Sequence, residues 1–353
     1  KQKKKIVFCF IFSTAFFSMW LSNTATCLLM LPIAKFVVDN CFSNKKDNYF
    51  SKILLLSIAY SASIGGMCTP IGTIPNAVMV SFLNENYGYK IDFIDWFIFM
   101  FPIVFFLLLS LWSFFSFTKK YKNEKVDLDN LYSKYRELGK FTTKEKISSF
   151  VLLLTSFLWI FKNTINSIFN IELTDSGIAI MCSLLFFVLP TNKNYQPLLG
   201  FSWFKNIPWN ILILFGGGLS MASLVVSTGL AQDLSQNLNF ISHYNFFILL
   251  IFLTFFTSIL TEFTSNTATT FLLLPILAAF SINNNLPLIE IILPIVLAAS
   301  CAFMMPISTP PNAIVFSTNK LKIPFMVKTG FKMNLIAVLF ISIYIYYLGK
   351  FAF

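Results

Sequence analysis

Long apolar runs separated by short polar segments dominate the chain. Runs with the length of one membrane-spanning helix, about 20 residues, cover approximately 51–70, 94–117, 147–168, 174–191, 208–230, 286–305 and 326–349. The strict alternation of apolar and polar positions that is typical of a membrane β-barrel is not seen. Because a helix satisfies its own backbone hydrogen bonds in lipid, the pattern predicts an all-α polytopic membrane protein.

Two further apolar stretches, at about 6–38 and 244–280, are too long for a single span. Each is interrupted near its middle by the polar tripeptide Ser-Asn-Thr. A re-entrant hairpin accounts for both features, because two half-length helices can then meet at a polar tip inside the membrane. We therefore predict two hairpins with tips at 22–24 and 265–267.

The surroundings of the tripeptide are repeated as well. The sequence Ser-Asn-Thr-Ala-Thr occurs at 22–26 and 265–269, and each copy leads into a Leu-Pro-Ile triplet. Downstream, an apolar span is broken by Pro and Asn at 72–77 in one case and at 308–313 in the other. Duplicated hairpins and broken helices are typical of inverted-repeat transporters, whose site lies where the repeats meet.

The duplication divides the chain into a first repeat over 1–117, a linker over 118–146 and a second repeat over 147–353. The linker is polar and mixed in charge, with interleaved apolar and aromatic residues at Leu131, Tyr132, Tyr135 and Leu138. It fits either an amphipathic helix on the cytoplasmic membrane surface or a solvated connection, and both interpretations stay open.

The composition excludes a soluble protein of this size. Hydrophobic residues make up 56% of the chain and charged residues 12%, with 44 Phe among 353 residues. The charged share is about half that of a soluble domain. The lysine-rich start precedes an apolar run without a small-residue cleavage site, so no cleavable signal peptide is predicted. The net charge of +11 does not indicate nucleic-acid binding, because the lysines cluster in particular loops.

The distribution of charge predicts the topology. Lys and Arg are concentrated in the loops around 39–52, 118–146, 191–207 and 318–328. The opposite loops carry mainly Asp and Glu, with Lys90 as their one lysine, and cover 84–95, 169–176, 231–245 and 281–290. By the positive-inside rule the lysine-rich set is cytoplasmic. The first hairpin then enters from the cytoplasm and the second from outside. We expect a multi-pass protein of a bacterial inner (plasma) membrane.

The cysteines and the histidine offer no catalytic or metal site. His243 is the sole histidine and has no partner histidine or carboxylate cluster. The cysteines lack metal-binding spacing and are interpreted as small packing residues: Cys9, Cys27, Cys41, Cys68, Cys182 and Cys301. A membrane-embedded hydrolase would need a Ser/His or Asp pair or a metal triad inside the spans, so an enzyme is not predicted.

The tips and breaks instead offer uncharged oxygen and nitrogen groups. Proline at a break frees backbone carbonyls from the helix, and these, with Ser, Thr and Asn oxygens, suit a hard monovalent cation such as Na⁺. Helix N-termini beside them suit an anion. Arg136, the one arginine, is in the linker, and no lysine lies near either tip. Charge balance for an anionic substrate would therefore come from one cation site in each repeat.

The chain resembles the divalent anion/sodium symporter family of Na⁺-coupled dicarboxylate, citrate and sulfate carriers. The resemblance extends from about residue 6 onward and rests on the two Ser-Asn-Thr tips, the Thr-Pro-Pro-Asn break at 309–312 and the Phe-Gly-Gly-Gly-Leu run at 215–219. It implies symport of small divalent anions such as succinate or citrate, by a homodimer whose transport domain moves like an elevator. The alternatives are a sulfate carrier, a dicarboxylate exchanger of the same fold and an inactive truncated remnant.

The resemblance also implies functional residues. The first Na⁺ site would use Ser18, Ser22, Asn23 and Gly72. The second Na⁺ site would use Thr261, Asn266 and Ser308. Substrate carboxylates would be held by Asn23, Thr24, Thr73, Asn266, Thr267, Thr309 and Pro310.

Three positions stand out beside this pattern. Glu262, an acidic residue near mid-membrane, is either functional or orients the hairpin through hydrogen bonds. Ile74 stands where the family more usually has a proline. Family members begin with several further helices, which are absent before Lys1, so a truncated chain, half of a split gene and a domain of a larger protein are the expectations left open.

Overall fold

The structure is a computed structural model that describes residues 2–40, 48–117, 133, 136–137, 139–191, 196–200, 203, 205, 207, 209–238, 241 and 243–353. Within these residues the chain is predominantly helical, and its β-structure is limited to an isolated bridge between Pro190 and Pro197. The all-α prediction is confirmed. Cys41, several loop lysines and most of the predicted linker, including Leu131, Tyr132, Tyr135 and Leu138, lie outside the described residues.

The described helices follow one another in this order: α1 (Gln2–Ser18), α2 (Asn23–Asn40), α3 (Asn48–Gly66), α4 (Ile74–Tyr87), α5 (Phe93–Ser116), α6 (Thr143–Ile160), α7 (Lys162–Phe169), α8 (Asp175–Val188), α9 (Trp209–Ser227), α10 (Leu230–Gln236), α11 (Phe246–Phe263), α12 (Asn266–Asn283), α13 (Leu288–Ala299), α14 (Pro310–Phe316) and α15 (Ile323–Leu348). A short 3₁₀ helix, Gly349–Phe351, follows α15.

Several of these helices have the character of membrane spans. α5, α9, α11, α12 and the segment Ile323–Phe351, which contains α15, are long and apolar enough to cross a membrane. α6 and α7 add one more candidate when they are counted as a single bent span. The described part of the chain therefore has the five or six candidate spans of a polytopic membrane protein.

The helices are interrupted where polar residues interrupt the apolar pattern. α1 and α2 meet around the first Ser-Asn-Thr tip, and α11 and α12 meet around the second. α3 and α4 are separated by the first break, and α13 and α14 by the second. Pro75 and Pro311 lie in the first turns of the helices that follow the breaks, where a missing backbone N–H costs no hydrogen bond.

The two hairpins pack in the same way. α1 and α2 both pack on α3, as α11 and α12 both pack on α13, which is buried along nearly its whole length. Contacts also cross between the predicted repeats: α4 packs on α12 and α13, whereas α14 packs on α2 and α3. Each post-break helix therefore lies against helices of the other repeat.

The chain forms two compact units. The first contains Lys1–Ile91, Trp96–Leu131 and Phe215–Phe353, and so includes both hairpins and both breaks. The second contains Asp92–Asp95 and Tyr132–Leu214. These units are defined by packing, whereas the repeats are defined by duplicated sequence, so the division into 1–117, 118–146 and 147–353 stays a prediction.

The apolar run 147–168 is not one straight helix. α7 follows α6 at an angle of 70°. Lys162 Nζ, at the start of α7, lies 2.5 Å from Asp92 and 2.8 Å from Asp175, and these two ion pairs hold its charge at the bend. Burial alone would raise the pKa of Asp92, but hydrogen bonds from Lys162 and Asn163, and the Lys162 charge, lower it below its usual value.

The helix in the apolar run 286–305 is shorter than the run itself. α13 ends at Ala299, and after a tight turn at 300–301 the backbone N–H groups at 303–305 donate to the carboxylate of Glu262. Hydropathy does not reveal this change, because the residues stay apolar while their backbone leaves the helix.

Candidate functional site

The first hairpin tip gathers three oxygen atoms around one hydroxyl hydrogen. Ser18 Oγ, at the end of α1, lies 2.8 Å from Asn23 Oδ1 and 2.7 Å from the carbonyl oxygen of Ala62 in α3. A serine hydroxyl has one hydrogen to donate, so it cannot satisfy both acceptors fully at once. We call these three oxygens the first oxygen cluster, and its surplus of lone pairs suits a cation.

The second hairpin tip repeats this arrangement. Thr261 Oγ1, near the end of α11, lies 2.8 Å from Asn266 Oδ1 and 3.0 Å from the carbonyl oxygen of Ala299 at the end of α13. One hydroxyl hydrogen again serves two acceptors. These three oxygens form the second oxygen cluster. Ser18 and Thr261 are fully buried, and each cluster joins the two arms of a hairpin to the helix before the break.

The serine of each tripeptide caps the helix that follows it. Ser22 Oγ accepts a hydrogen bond from the Ala25 N–H at 3.3 Å, and Ser265 Oγ accepts one from the Ala268 N–H at 3.1 Å. Such a cap satisfies one of the free N–H groups at a helix start. The hydroxyl oxygen of Ser22, a predicted sodium ligand, thus accepts a hydrogen bond from the first turn of α2 in this structure.

The asparagines of the tips have an oxygen side and a nitrogen side. Asn23 and Asn266 each use Oδ1 within an oxygen cluster, and the Nδ2 donor of each amide is not part of that cluster. Thr24 is half-buried and Thr267 is buried. Both residues lie in the first turns of helices whose N-termini favour negative charge, as the predicted substrate role requires.

The first break depends on close contact between two glycine backbones. A Cβ atom on Gly66 would overlap Asn23 Oδ1 and would lie 3.1 Å from the Gly72 carbonyl oxygen. A Cβ atom on Gly72 would overlap the Gly66 backbone. The structure therefore brings Asn23 and the Gly72 carbonyl, two predicted sodium ligands, to the same side-chain-free space beside Gly66. Thr73, at the end of this break, is buried.

Ser308 and Thr309 in the second break make hydrogen bonds to nearby residues of the same segment. Ser308 Oγ donates to the Met305 carbonyl at 2.7 Å, and Thr309 Oγ1 accepts from the Asn312 N–H at 3.3 Å as the cap of α14. Ser308 and Thr309 are buried, whereas Pro310, the first residue of α14, is exposed. The predicted ligand Ser308 thus lies in a buried break, but its hydrogen bonds stay within that break.

Glu262 is a fully buried carboxylate that hydrogen-bond donors surround. Its Oε1 accepts from the N–H groups of Phe303 and Met304 at 2.7 and 2.8 Å and from Asn334 Nδ2 at 2.9 Å. Its Oε2 accepts from the Met305 N–H at 2.9 Å. Buried charges need such compensation. These contacts support the interpretation that Glu262 orients the polypeptide through hydrogen bonds, at the second break.

Two contacts bind the tips into the first unit. Cys27 Sγ, one turn beyond the first tip, lies 3.7 Å from the Pro311 carbonyl oxygen at the second break. In the Phe-Gly-Gly-Gly-Leu run, a Cβ atom on Gly218 would overlap the ring of Phe271 in α12. Gly218 therefore allows α9 to approach the second hairpin closely.

The histidine and the described cysteines do not belong to the oxygen clusters, and Cys9 is exposed, unlike the packing residue expected there. His243 is exposed, whereas Cys27, Cys68, Cys182 and Cys301 are buried, as packing residues are. Among the residues that the structure describes, no three His, Cys, Asp or Glu side chains are grouped to hold a metal ion. The oxygen clusters are therefore the candidate site.

Sequence reasoning missed the carbonyl groups of Ala62 and Ala299 and the role of Gly66. A backbone carbonyl leaves no signature in residue type, so the two alanines carried no signal. Gly66 did carry a signal in the sequence, because a glycine pair ends the apolar run just before the first break.

The chain matches the model of one protein family over residues 2–351, and that family is described as the sodium:sulfate symporter transmembrane region. It is 35% identical over 358 residues to the sodium-dependent dicarboxylate transporter SdcS of Staphylococcus saprophyticus, with 98% of this chain and 69% of that protein covered. It is 34% identical over 361 residues to SdcS of Staphylococcus aureus strain USA300, with 97% and 69% covered. The resemblance inferred from the motifs is confirmed.

These relatives are transporters, and the family match covers nearly every described helix. With its candidate spans, the protein is a multi-pass integral membrane protein of the plasma membrane and not an enzyme. From its motifs, its helices and these matches, the chain belongs to the sodium:sulfate symporter family.

Proposed function

We propose that this protein is a sodium-coupled symporter of small dicarboxylates. The observation that carries the proposal is the pair of matched oxygen clusters, in each of which three uncharged oxygens share one hydrogen. Hydroxyl, amide and carbonyl oxygens are hard ligands that suit Na⁺. The relatives named above, which are sodium-dependent dicarboxylate transporters, support the same choice of ion and substrate.

The proposed sodium ligands fall into two sets. The first is Ser18, Ser22, Asn23 and Gly72, to which the carbonyl of Ala62 is added. The second is Thr261, Asn266 and Ser308, to which the carbonyl of Ala299 is added. When Na⁺ binds, the hydroxyl hydrogen of Ser18 or Thr261 can keep one acceptor while the remaining lone pairs turn to the ion. Both sodium ions travel with the substrate as cargo.

The proposed substrate site uses the donors on the other side of the tips. These are the amides of Asn23 and Asn266 and the hydroxyl groups of Thr24, Thr73, Thr267 and Thr309. Pro310, which has no backbone N–H, would contact the substrate without donating. The amide and hydroxyl donors orient a carboxylate but carry no full positive charge. The charge of a dicarboxylate is then balanced by the two sodium ions, and this dependence couples the transport of the anion to that of sodium.

An elevator movement and a homodimer complete the proposal, as the family resemblance implies. Citrate and sulfate stay as alternative substrates, because hydroxyl and amide donors accept all of these anions. Because the family description names sulfate, sulfate is one of the competing anions to be measured.

Uptake into proteoliposomes tests the proposal. We expect radiolabelled succinate to accumulate under an inward Na⁺ gradient and to fail to accumulate when K⁺ replaces Na⁺. Unchanged uptake in K⁺ would exclude sodium symport. Asn23→Ala and Asn266→Ala should each abolish uptake while membrane insertion stays normal, and competition by unlabelled citrate and sulfate defines the substrate class.

A further inference from the structure

We propose that Asn76 and Asn312 are matched positioning residues that hold the two helix breaks in their sodium-binding shape. Neither residue belongs to the ligand sets above. The inference rests on the proposed sodium-coupled function and deepens it, because it names the groups that preform the two cation sites.

Asn76 connects both ends of the first break. It is fully buried in the first turn of α4, and its Nδ2 lies 3.2 Å from the Gly66 carbonyl, 3.3 Å from the Met67 carbonyl and 2.8 Å from the Thr69 carbonyl. Carbonyls at the end of a helix have no donor within that helix. One side chain after the break therefore satisfies carbonyls at the end of α3 and within the break.

Asn312 makes a similar connection, although all of its acceptors lie within the second break beyond the end of α13. It is buried in the first turn of α14, and its Nδ2 lies 3.0 Å from the carbonyls of Ala302 and Met305 and 3.3 Å from Ser308 Oγ. In both breaks the amide reaches carbonyls ten and seven residues upstream. Both asparagines also follow the threonine at the N-cap by three residues. The match in geometry extends the repeat beyond the tripeptides.

Each of the two amides has fewer hydrogens than it has nearby acceptors. The NH₂ group has two hydrogens, and in each break it faces three oxygen acceptors. Other donors share these acceptors, because Trp96 Nε1 also donates to the Met67 carbonyl at 3.1 Å and Ser308 Oγ to the Met305 carbonyl at 2.7 Å. The Oδ1 atoms of Asn76 and Asn312 are themselves buried without a hydrogen-bond donor. An unsatisfied buried acceptor is unfavourable for folding, so its presence in both breaks favours a role beyond stability.

The amide of Asn76 borders the first proposed cation site, and the amide of Asn312 contacts a proposed ligand of the second. Asn76 binds the carbonyl of Gly66, the residue that faces Asn23 Oδ1 and the Gly72 carbonyl. Asn312 binds Ser308 Oγ, which is itself a proposed ligand. Loss of the donors would release these groups and reduce the affinity for Na⁺ without removing any ligand of the proposed sets.

Asn76→Asp and Asn312→Asp test this role. The aspartate has nearly the same shape, but it turns an acceptor toward carbonyls that need a donor. We expect the Na⁺ concentration for half-maximal succinate uptake to rise at least about tenfold in either variant, as expected when one or two buried hydrogen bonds are lost. Binding of radioactive Na⁺ to the purified protein should weaken in parallel, and the maximal rate at saturating Na⁺ should change less.

Asn86→Asp is the matched control. Asn86 lies on the same helix α4, is exposed, and donates to the Phe82 carbonyl away from the break. The Na⁺ concentration for half-maximal uptake by the Asn86→Asp variant should stay within about twofold of wild type, because an exposed hydrogen bond contributes little. This control separates the position of the amide from the added negative charge.

The outcomes separate the two proposals. If wild type neither binds Na⁺ nor depends on it for uptake, the symport proposal is wrong and this inference falls with it. If wild type requires Na⁺ but folded Asp variants keep its half-saturation, only the positioning role is wrong. Asn76→Ser and Asn312→Ser, which keep one hydroxyl donor, are measured in parallel in case an Asp variant does not fold. They should show an intermediate Na⁺ requirement, and wild-type values in them would equally contradict the proposal.

Discussion

At each hairpin tip, one hydroxyl group stands between an amide oxygen and a carbonyl oxygen. The residue types were predictable from the resemblance: Ser18 with Asn23 in the first tip, and Thr261 with Asn266 in the second. The third oxygen of each cluster was not, because it belongs to the backbone of an alanine. Sequence thus predicted the side chains of the candidate site but not the peptide groups that complete it.

Gly66 offers the sharpest test of the first cluster. In Gly66→Ala, the new methyl group would overlap Asn23 Oδ1 and crowd the Gly72 carbonyl. Overpacking of this kind costs about 1–3 kcal/mol, which corresponds to a roughly 5- to 150-fold weaker affinity. We expect the Na⁺ concentration for half-maximal uptake to rise by that factor.

The control for Gly66→Ala is Gly217→Ala, where an added Cβ meets no atom within 4 Å. It should leave the Na⁺ requirement of uptake unchanged. A wild-type Na⁺ requirement in folded Gly66→Ala protein would show that no cation binds beside this residue.

The two breaks differ in how they satisfy their backbone. Both begin with a tight turn, in which the N–H groups of Met67 and Cys68 donate to Ile64 and Gly65, and those of Ser300 and Cys301 donate to Leu297 and Ala298. In the second, the N–H groups at 303–305 donate to Glu262. Pro and Asn predicted both breaks, but the sequence pattern could not predict that a carboxylate from another helix would accept the N–H groups at 303–305.

Glu262→Gln should destabilise the second break. A glutamine has one acceptor oxygen, and its NH₂ group would face backbone donors. Leaving one or two buried N–H groups without an acceptor costs about 2–4 kcal/mol. We expect a lower thermal unfolding midpoint of the purified protein, measured by the fluorescence of a thiol-reactive dye or of tryptophan.

Glu290→Gln is the comparison for Glu262→Gln, because Glu290 is a partly exposed carboxylate on α13. Its unfolding midpoint should stay close to wild type. An equal midpoint in the two variants would mean that the Glu262 carboxylate does not hold the break in place.

For the whole molecule, the length and spacing of apolar runs were sufficient to predict the fold class and the positions of the helix interruptions. They were not sufficient for the bend after Ile160, because Lys162 is held there by Asp92, which lies 70 residues away in the sequence. The pairing of α4 with α12 and of α14 with α2 was likewise outside the reach of a local pattern.

The packing of α4 and α14 on helices of the other repeat, called the crossed packing below, predicts how a divided chain behaves. We expect fragments 1–132 and 133–353, cut within the predicted linker, to give sodium-dependent succinate uptake when they are coexpressed. Neither fragment alone should support uptake, because α4 and α14 would each lack the helices on which they pack. Uptake by a single fragment in proteoliposomes would contradict this dependence, and the intact chain is the reference.

The crossed packing also bears on synthesis. The N-terminal half leaves the ribosome first, and α4 then lacks two of its packing partners, α12 and α13. We therefore expect the early product to be more open to proteolysis in the membrane until the second half has been made. Slower translation of the second half should then lower the yield of folded protein.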